Sequence, residues 1–436
     1  MSQSPGGRTH AEKAAAAYRS SNPWYLLFVL TLISVCHSID RGMPNILVEP
    51  IRHEFGLSDQ QLGFFTGLSF AATFALAVLP MGYLSDRVNR RNLLAGLVLV
   101  WSVCTAICGL ARNYVHLVLA RMGVGAAESG AVPISLPMIS ESFPPQRRNM
   151  VLGLYYSSAA IGTLISSIGG AFIAAHYGWR TAFFVAGVPG IFLALLLLLT
   201  ISASRPKSHD KADSPVPAQP KPKITEAISL VMRSPGHLAL IFSAAFTAMV
   251  TISIAAWTGS FFIRVHHLTL PQVGLLLGIA NAFSGVIGPP LTGWLGDRIG
   301  ARRVGGALVL MAGALTVALV TGIAMVFTQS LVAAIALLFL HDIFRAGNPA
   351  VCSAALLDKT PQRLHGTIMS VNQLVAVVLG YGMGPILVGT LSDAFGGGTA
   401  IAGAIGVAVA LLFPAALLLL IAFKILYPAV RTPEAS

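Results

Sequence analysis

Twelve stretches of this chain are each long enough to cross a bilayer, and each is poor in charge. Hydrocarbon offers no partner to a backbone N–H or C=O, so a buried segment must satisfy those groups itself, as an apolar helix of about 20 residues does. The stretches run over 24–46, 59–84, 92–112, 115–142, 149–176, 181–202, 237–264, 271–295, 304–327, 330–357, 364–392 and 399–425. An all-α polytopic membrane protein with twelve transmembrane helices is therefore expected. The balance of 55% hydrophobic and 10% charged residues excludes a soluble enzyme.

Residues 1–22 are polar, carry Arg8, Lys13 and Arg19 and contain no apolar core, so no cleavable signal peptide is expected. An even number of spans places both tails on one side. Of the Lys and Arg residues, twenty-one fall in the tails and in the loops on that side, whereas Arg52, Arg112, Arg180 and Arg264 occupy the other. The positive-inside rule then makes both termini cytoplasmic. The net charge of +12 is thus a matter of topology, not a surface for nucleic acid. Cys36, Cys104, Cys108 and Cys352 all lie inside apolar stretches and read as small packing residues, with no disulfide framework and no metal site.

Residues 203–236 form the one long loop, rich in Pro, Lys and Ser (SPVPAQPKPK at 214–223), and read as a flexible cytoplasmic linker. It separates a six-helix bundle at 23–202 from a second at 237–425, with tails at 1–22 and 426–436. A repeat supports the division. Gln61, Gly63, Gly67, Gly82, Asp86 and Arg87 recur as Gln272, Gly274, Gly278, Gly293, Asp297 and Arg298, always at the same offset. Parallel six-helix repeats joined by such a linker are a transporter architecture, with substrate held between the halves and access alternating by rocking.

Three basic residues remain, Arg41, Arg121 and Arg345, and all fall within spans. The stretch 115–142 carries Arg121 and Glu128, seven residues and almost two turns apart, so both project from one face about 10.5 Å apart along the axis. An ionised group at mid-membrane costs about 2.5–3.5 kcal/mol even on lenient scales, so such residues face a partner or a water-filled path. His37, Asp40 and Arg41 stand near the outer end of the first stretch, where Asp40 and Arg121 reach similar depth and form a candidate pair. His341, Asp342 and Arg345 form an intrahelical cluster in the tenth. Each set reads either as a structural ion pair or as part of a transport path. Trp257, Asn372, Gln373 and Tyr381, with Tyr155, Tyr156, Ser157 and Ser158, are candidate cavity-lining groups that also suit plain packing.

GYLSDRVNRR (82–91) and GWLGDRIGARR (293–303) join the second span to the third and the eighth to the ninth. In each, glycine permits close helix approach, while the aspartate can cap a neighbouring helix and pair with arginines at the cytoplasmic rim. Gly82, Asp86, Arg87, Arg90 and Arg91, with Gly293, Asp297, Arg298 and Arg302, would make a latch that breaks and re-forms. These stretches resemble the signature loops of the major facilitator superfamily, with Asn89 where glycine is usual and Ala301 in place of a basic residue. The Asp40–Arg41 pair, the loop SDRVNRR and the run Arg121-Met-Gly-Val-Gly-Ala-Ala-Glu128 together resemble the Spinster family.

That resemblance implies a secondary transporter of lysophospholipids or sphingoid lipids, proton-coupled through Asp40, Arg41, Arg121 and Glu128. The physics agrees, because an arginine that moves towards or away from a buried carboxylate changes its hold on a proton. His37, Arg41, Arg121, Trp257, Asp342, Arg345, Asn372 and Tyr381 are the candidate substrate contacts. Small organic anions such as sugar acids would suit the same arginines, since guanidinium matches planar anions. A passive lipid pathway is the rival from another class. No phosphate-binding loop and no H-E-x-x-H or G-x-S-x-G element is present, which argues against a primary pump and an intramembrane enzyme. No proline lies between 150 and 176, where drug antiporters of the superfamily carry a Gly-Pro element. The expected partners are an amphipathic or anionic small molecule, protons and the bilayer, with no cofactor. A monomer in a bacterial inner membrane is expected.

Overall fold

A computed structural model describes the backbone of residues 22–85, 87–202, 224–300 and 304–427. Eleven of its helices are long and apolar enough to cross a membrane: Pro23–Ile46, Asp59–Ser85, Arg90–Gly109, Tyr114–Ser142, Met150–Tyr177, Trp179–Thr200, Pro235–Arg264, Gly305–Phe327, Leu331–Asp358, Gln362–Ala394 and Gly398–Leu426. The remaining predicted stretch falls on the helix Leu270–Gly300, whose shorter apolar part is Leu270–Gly285. A short amphipathic helix, Ile224–Arg233, precedes the seventh span.

Several spans are interrupted, and the interruptions have local causes. The fourth consists of helices Tyr114–Glu128 and Ala131–Ser142, and the tenth of Leu331–Arg345 and Asn348–Asp358. Pro133 and Pro349 lie just beyond the two breaks. Lacking an N–H, they offer nothing to the carbonyls of Ser129 and Arg345, and each helix loosens there. Both breaks thus fall directly after an in-span charge, Glu128 or Arg345. The second and eleventh spans carry wide turns at Phe64–Leu68 and Val377–Met383. Such π-type turns are often functional.

The chain forms two compact units. One holds the described residues up to Leu47 and those from Ala72 up to the linker; the other holds Val48–Ala71 and the described residues beyond the linker. In the first, the first span packs along the fifth, and a Cβ at Gly162 would lie 2.6 Å from the Val35 carbonyl. In the second, a Cβ at Gly67 would lie 2.6 Å from the Tyr381 carbonyl, so only glycine lets the two wide turns meet. Small residues at such crossings are how membrane helices approach closely.

Candidate functional site

In the first unit, the residues one helical turn apart on the first span converge on the end of the first half of the fourth. Arg41 donates from Nε to Glu128 Oε2 at 3.0 Å, and His37 Nε2 stands 3.3 Å from the same oxygen. The Glu128 side chain has no exposure at all, while Arg41 keeps about a quarter of its own. A hydrogen-bonded guanidinium is the partner a buried carboxylate needs, because its charge would otherwise be stranded. Arg41 also lies over the Phe74 ring, with Cζ 5.1 Å from its centre. Arg121 donates to the Asp40 main-chain oxygen at 3.2 Å. The predicted approach of Arg121 to Asp40 thus includes a main-chain contact. Asp40 Oδ1 and Glu128 Oε1 are buried without a hydrogen-bond partner.

The third span supplies a wall that sequence reasoning missed. The Trp101 ring meets His37 edge-on, with centres 6.2 Å apart, and Thr105 stands beside Asp40 with its Oγ1 outside hydrogen-bond geometry. Trp101 and Thr105 are one turn apart on the third span, which was the available signal. The result is a largely buried polar group with several of its atoms left without a hydrogen-bond partner.

The second unit has its own charged centre. Arg345 Nη2 meets Asp342 Oδ1 at 2.5 Å within the helix, and Arg345 Nη1 donates to Thr251 Oγ1 on the seventh span. His341 Nδ1 pairs with the Ala318 carbonyl at 2.8 Å, leaving its buried Nε2 without a partner. Asn348 Nδ2 donates to Thr247 Oγ1 at 2.8 Å. Of the other candidates, Asn372 is buried with Oδ1 unpartnered. Tyr381 sits on the wide turn of the eleventh span, its ring 6.2 Å from that of Phe70. Trp257 is fully buried and spends its indole N–H on the Pro385 carbonyl at 2.9 Å, which is the work of a packing residue.

A second missed cluster lies in the same unit. Arg264, at the end of the seventh span, binds Asp59 through both terminal nitrogens at 2.7 and 2.8 Å, and donates from Nε to Glu49 Oε1 at 2.8 Å. Asp59 also accepts from Ser392 Oγ at 2.6 Å. The Asp393 carboxylate takes the backbone N–H groups of Asp59 and Gln60, at 3.0 and 2.8 Å, where the helix begins.

The loop motifs are only partly described. Arg87 lies over Tyr83, with Cζ 4.1 Å from the ring centre. Arg90 pairs with Glu141 at 2.8 Å and reaches the Ser85 carbonyl, while Arg91 donates to the carbonyls of Leu198 and Ile201. A Cβ at Gly82 would meet nothing within 4 Å. Asp86 and Arg302 lie outside the described residues, as do the side chains of Asp297 and Arg298; Gly293 belongs to the helix Leu270–Gly300.

The sequence matches the family model described as Major Facilitator Superfamily over residues 30–305 and 266–436. The chain belongs to the major facilitator superfamily. It is an integral, multi-pass membrane transporter and not an enzyme. It is 28% identical to an MFS-type efflux pump of Mycolicibacterium smegmatis over 85% of this chain and 84% of that protein. It is also 28% identical to a probable sulfoacetate transporter of Cupriavidus necator, over 76% of this chain and 79% of that one. The crystal structure of a bacterial homolog to the human lysosomal transporter Spinster, inward-facing and occupied, superposes with a TM-score of 0.79 at 25% identity, covering 93% of this chain and 98% of that one. The twelve-span superfamily fold and the likeness to Spinster are thereby established for this chain.

Proposed function

We propose that this superfamily transporter moves an amphipathic lipid, such as a lysophospholipid or a sphingoid lipid, by proton-coupled alternating access. Glu128 carries the proton and Arg41 is the partner from which protonation frees it. The observation behind this reading is the wholly enclosed Glu128 carboxylate, held at 3.0 Å by Arg41 and 3.3 Å from His37. A carboxylate so placed must be paired or protonated, and a switch between those two conditions is what couples a proton to a change of state. Asp40 and Arg121 complete the group, while Arg345 and Asp342 in the second unit serve the head of the cargo. The likeness to the Spinster homolog supports the lipid class, and both termini lie in the cytoplasm on the count of basic residues.

A small organic anion is the second reading, favoured by the likeness to a sulfoacetate transporter and by guanidinium groups suited to carboxylate or sulfonate. The deciding experiment is uptake into proteoliposomes of a labelled lysophospholipid, beside sulfoacetate and a sugar acid, with and without an inward proton gradient. Saturable lipid uptake that rises with the gradient and is lost in Glu128→Gln is the expected result. Uptake of an anion alone transfers the assignment to the second reading. Lipid movement indifferent to gradient and substitution identifies a passive pathway.

A further inference from the structure

Below His37, in the direction of the ends that carry Arg147 and Arg148, the first unit contains a chain of hydroxyl groups that no apolar packing requires. Ser34 is one turn from His37 on the same face of the first span, about 4.5 Å along the axis. Ser158 of the fifth span stands with Oγ 2.6 Å from Ser34 Oγ and donates to the Tyr155 carbonyl at 2.5 Å. The Tyr155 hydroxyl stands close to both Ser34 and Ser135, outside hydrogen-bond geometry. Ser135 lies in the second half of the fourth span, seven residues beyond Glu128 and past the break. Tyr155, Ser135 and Ser158 are 3%, 1% and 0% exposed. Three spans thus each contribute hydroxyls to one cluster, buried at Tyr155, Ser135 and Ser158 and partly exposed at Ser34.

We propose that Ser34, Ser158, Tyr155 and Ser135 form a proton relay between Glu128 and the cytoplasmic side, an inference that rests on the proton-coupled reading above. The Glu128 carboxyl passes its proton to His37 Nε2, which has no hydrogen-bond partner, and the ring releases the proton on Nδ1. One bridging water spans the turn from His37 to Ser34. Each hydroxyl then accepts a proton on its oxygen and gives up its own, so one proton reaches water, Glu128 is left as the carboxylate and each hydroxyl is returned unchanged. The ring resets by rotation. Asp40, Arg41 and Arg121 are the other charged groups around the start of the relay, and the hydroxyl cluster itself holds none. Ser135 and Tyr155 lie about 10.5 Å from the ends of their helices at Ser142 and Arg148, so the last step to water is short.

A purely structural role would make these hydroxyls glue between spans, and the two roles separate in the readout. Parent protein, Ser34→Ala, Ser34→Thr, Tyr155→Phe and Ser158→Ala are reconstituted with fluorescent lysophosphatidylethanolamine as the probe. Gradient-driven uptake, with internal pH followed by a trapped dye, is compared with lipid exchange in the absence of a gradient, which needs no net proton movement. The relay requires gradient-driven uptake and proton entry to fall together by about tenfold in Tyr155→Phe and Ser34→Ala, the scale on which a positioned proton-transfer group acts. Exchange stays within twofold of parent, and Ser34→Thr, which keeps the hydroxyl, restores uptake. Unchanged uptake in all variants overturns the relay, and so does an equal fall in uptake and exchange. A parent that exchanges the lipid but ignores the gradient overturns the proton-coupled reading itself, and with it the relay.

Discussion

Arg264 grips Asp59 through both terminal nitrogens of its guanidinium while its Nε holds Glu49, and Arg52 adds a second cation with its Nε 3.5 Å from Asp59 Oδ1. This fork ties the segment Val48–Ala71 to the end of the seventh span, and Ser392 and Asp393 extend the tie to the eleventh. Bidentate arginine–carboxylate pairs are strong because both geometry and charge match. Removing one partner of a buried pair costs about 3–5 kcal/mol, most of it the penalty on the stranded charge. Arg264→Ala is expected to lower the melting temperature in detergent markedly. Arg264→Lys should fall between it and parent, since an ammonium keeps the charge and loses the fork. Equal melting temperatures for all three proteins would remove the fork from the list of what holds this unit together.

The pair Arg41–Glu128 allows a cleaner test, because both partners can be neutralised. Arg41→Ala leaves Glu128 enclosed with His37 at 3.3 Å and one fewer cation. A loss of stability of about 3 kcal/mol or more is expected from the single substitution, and the double variant Arg41→Ala with Glu128→Gln should recover most of it. The coupling energy from thermal melts of the four proteins measures the pair directly. Additive losses would mean that Arg41 stabilises the first unit through Phe74 and not through Glu128.

The twelve spans were legible because bilayer thickness imposes a length and a composition that each stretch displays in isolation. The charged residues around Glu128 were legible for a related reason, since charges inside apolar spans are few. The pairing was not: the sequence suggested Asp40 with Arg121, whereas Arg41 and His37 reach Glu128. Trp101 and Thr105 were not read because a tryptophan and a threonine are ordinary in a membrane helix, and only the edge of the ring against His37 gives them meaning. Arg264 was counted only as a basic residue of the sparse side. Its partners lie more than 200 residues away in the chain, and no local periodicity records a contact of that separation. The breaks in the fourth and tenth spans were missed although Pro133 and Pro349 stand beside them, because apolarity alone runs smoothly through both.

Trp257 and Pro385 offer a test of packing without a charge. The indole N–H is spent on the Pro385 carbonyl at 2.9 Å, inside a fully buried contact. Trp257→Phe keeps an aromatic ring but strands that carbonyl, which costs about 1–3 kcal/mol. The expected outcome is a lower melting temperature with the apparent KM for transported probe unchanged. A rise in KM at unaltered stability would instead place Trp257 against the substrate.

Asp342 and Glu128 are both buried in-span carboxylates, yet their partners differ, and so should the consequences of neutralising them. Asp342 lies one turn from Arg345 on its own helix, and Arg345 is also held by Thr251. Asp342→Asn therefore leaves the arginine in place with less of its charge offset. Glu128, by contrast, is reached from another helix, and its Oε1 has no partner to replace Arg41 if that residue moves. If Arg345 serves the cargo head and Glu128 the proton, Asp342→Asn changes the KM of uptake by several-fold and leaves the dependence on external pH in place. Glu128→Gln flattens that dependence and leaves exchange intact. Initial rates over a range of probe concentration and external pH separate the two, since a binding change moves KM at every pH, whereas loss of the coupling group removes the pH effect at every concentration. A flattened pH profile in Asp342→Asn would shift proton coupling to the second unit and make the Arg41–Glu128 pair a structural one.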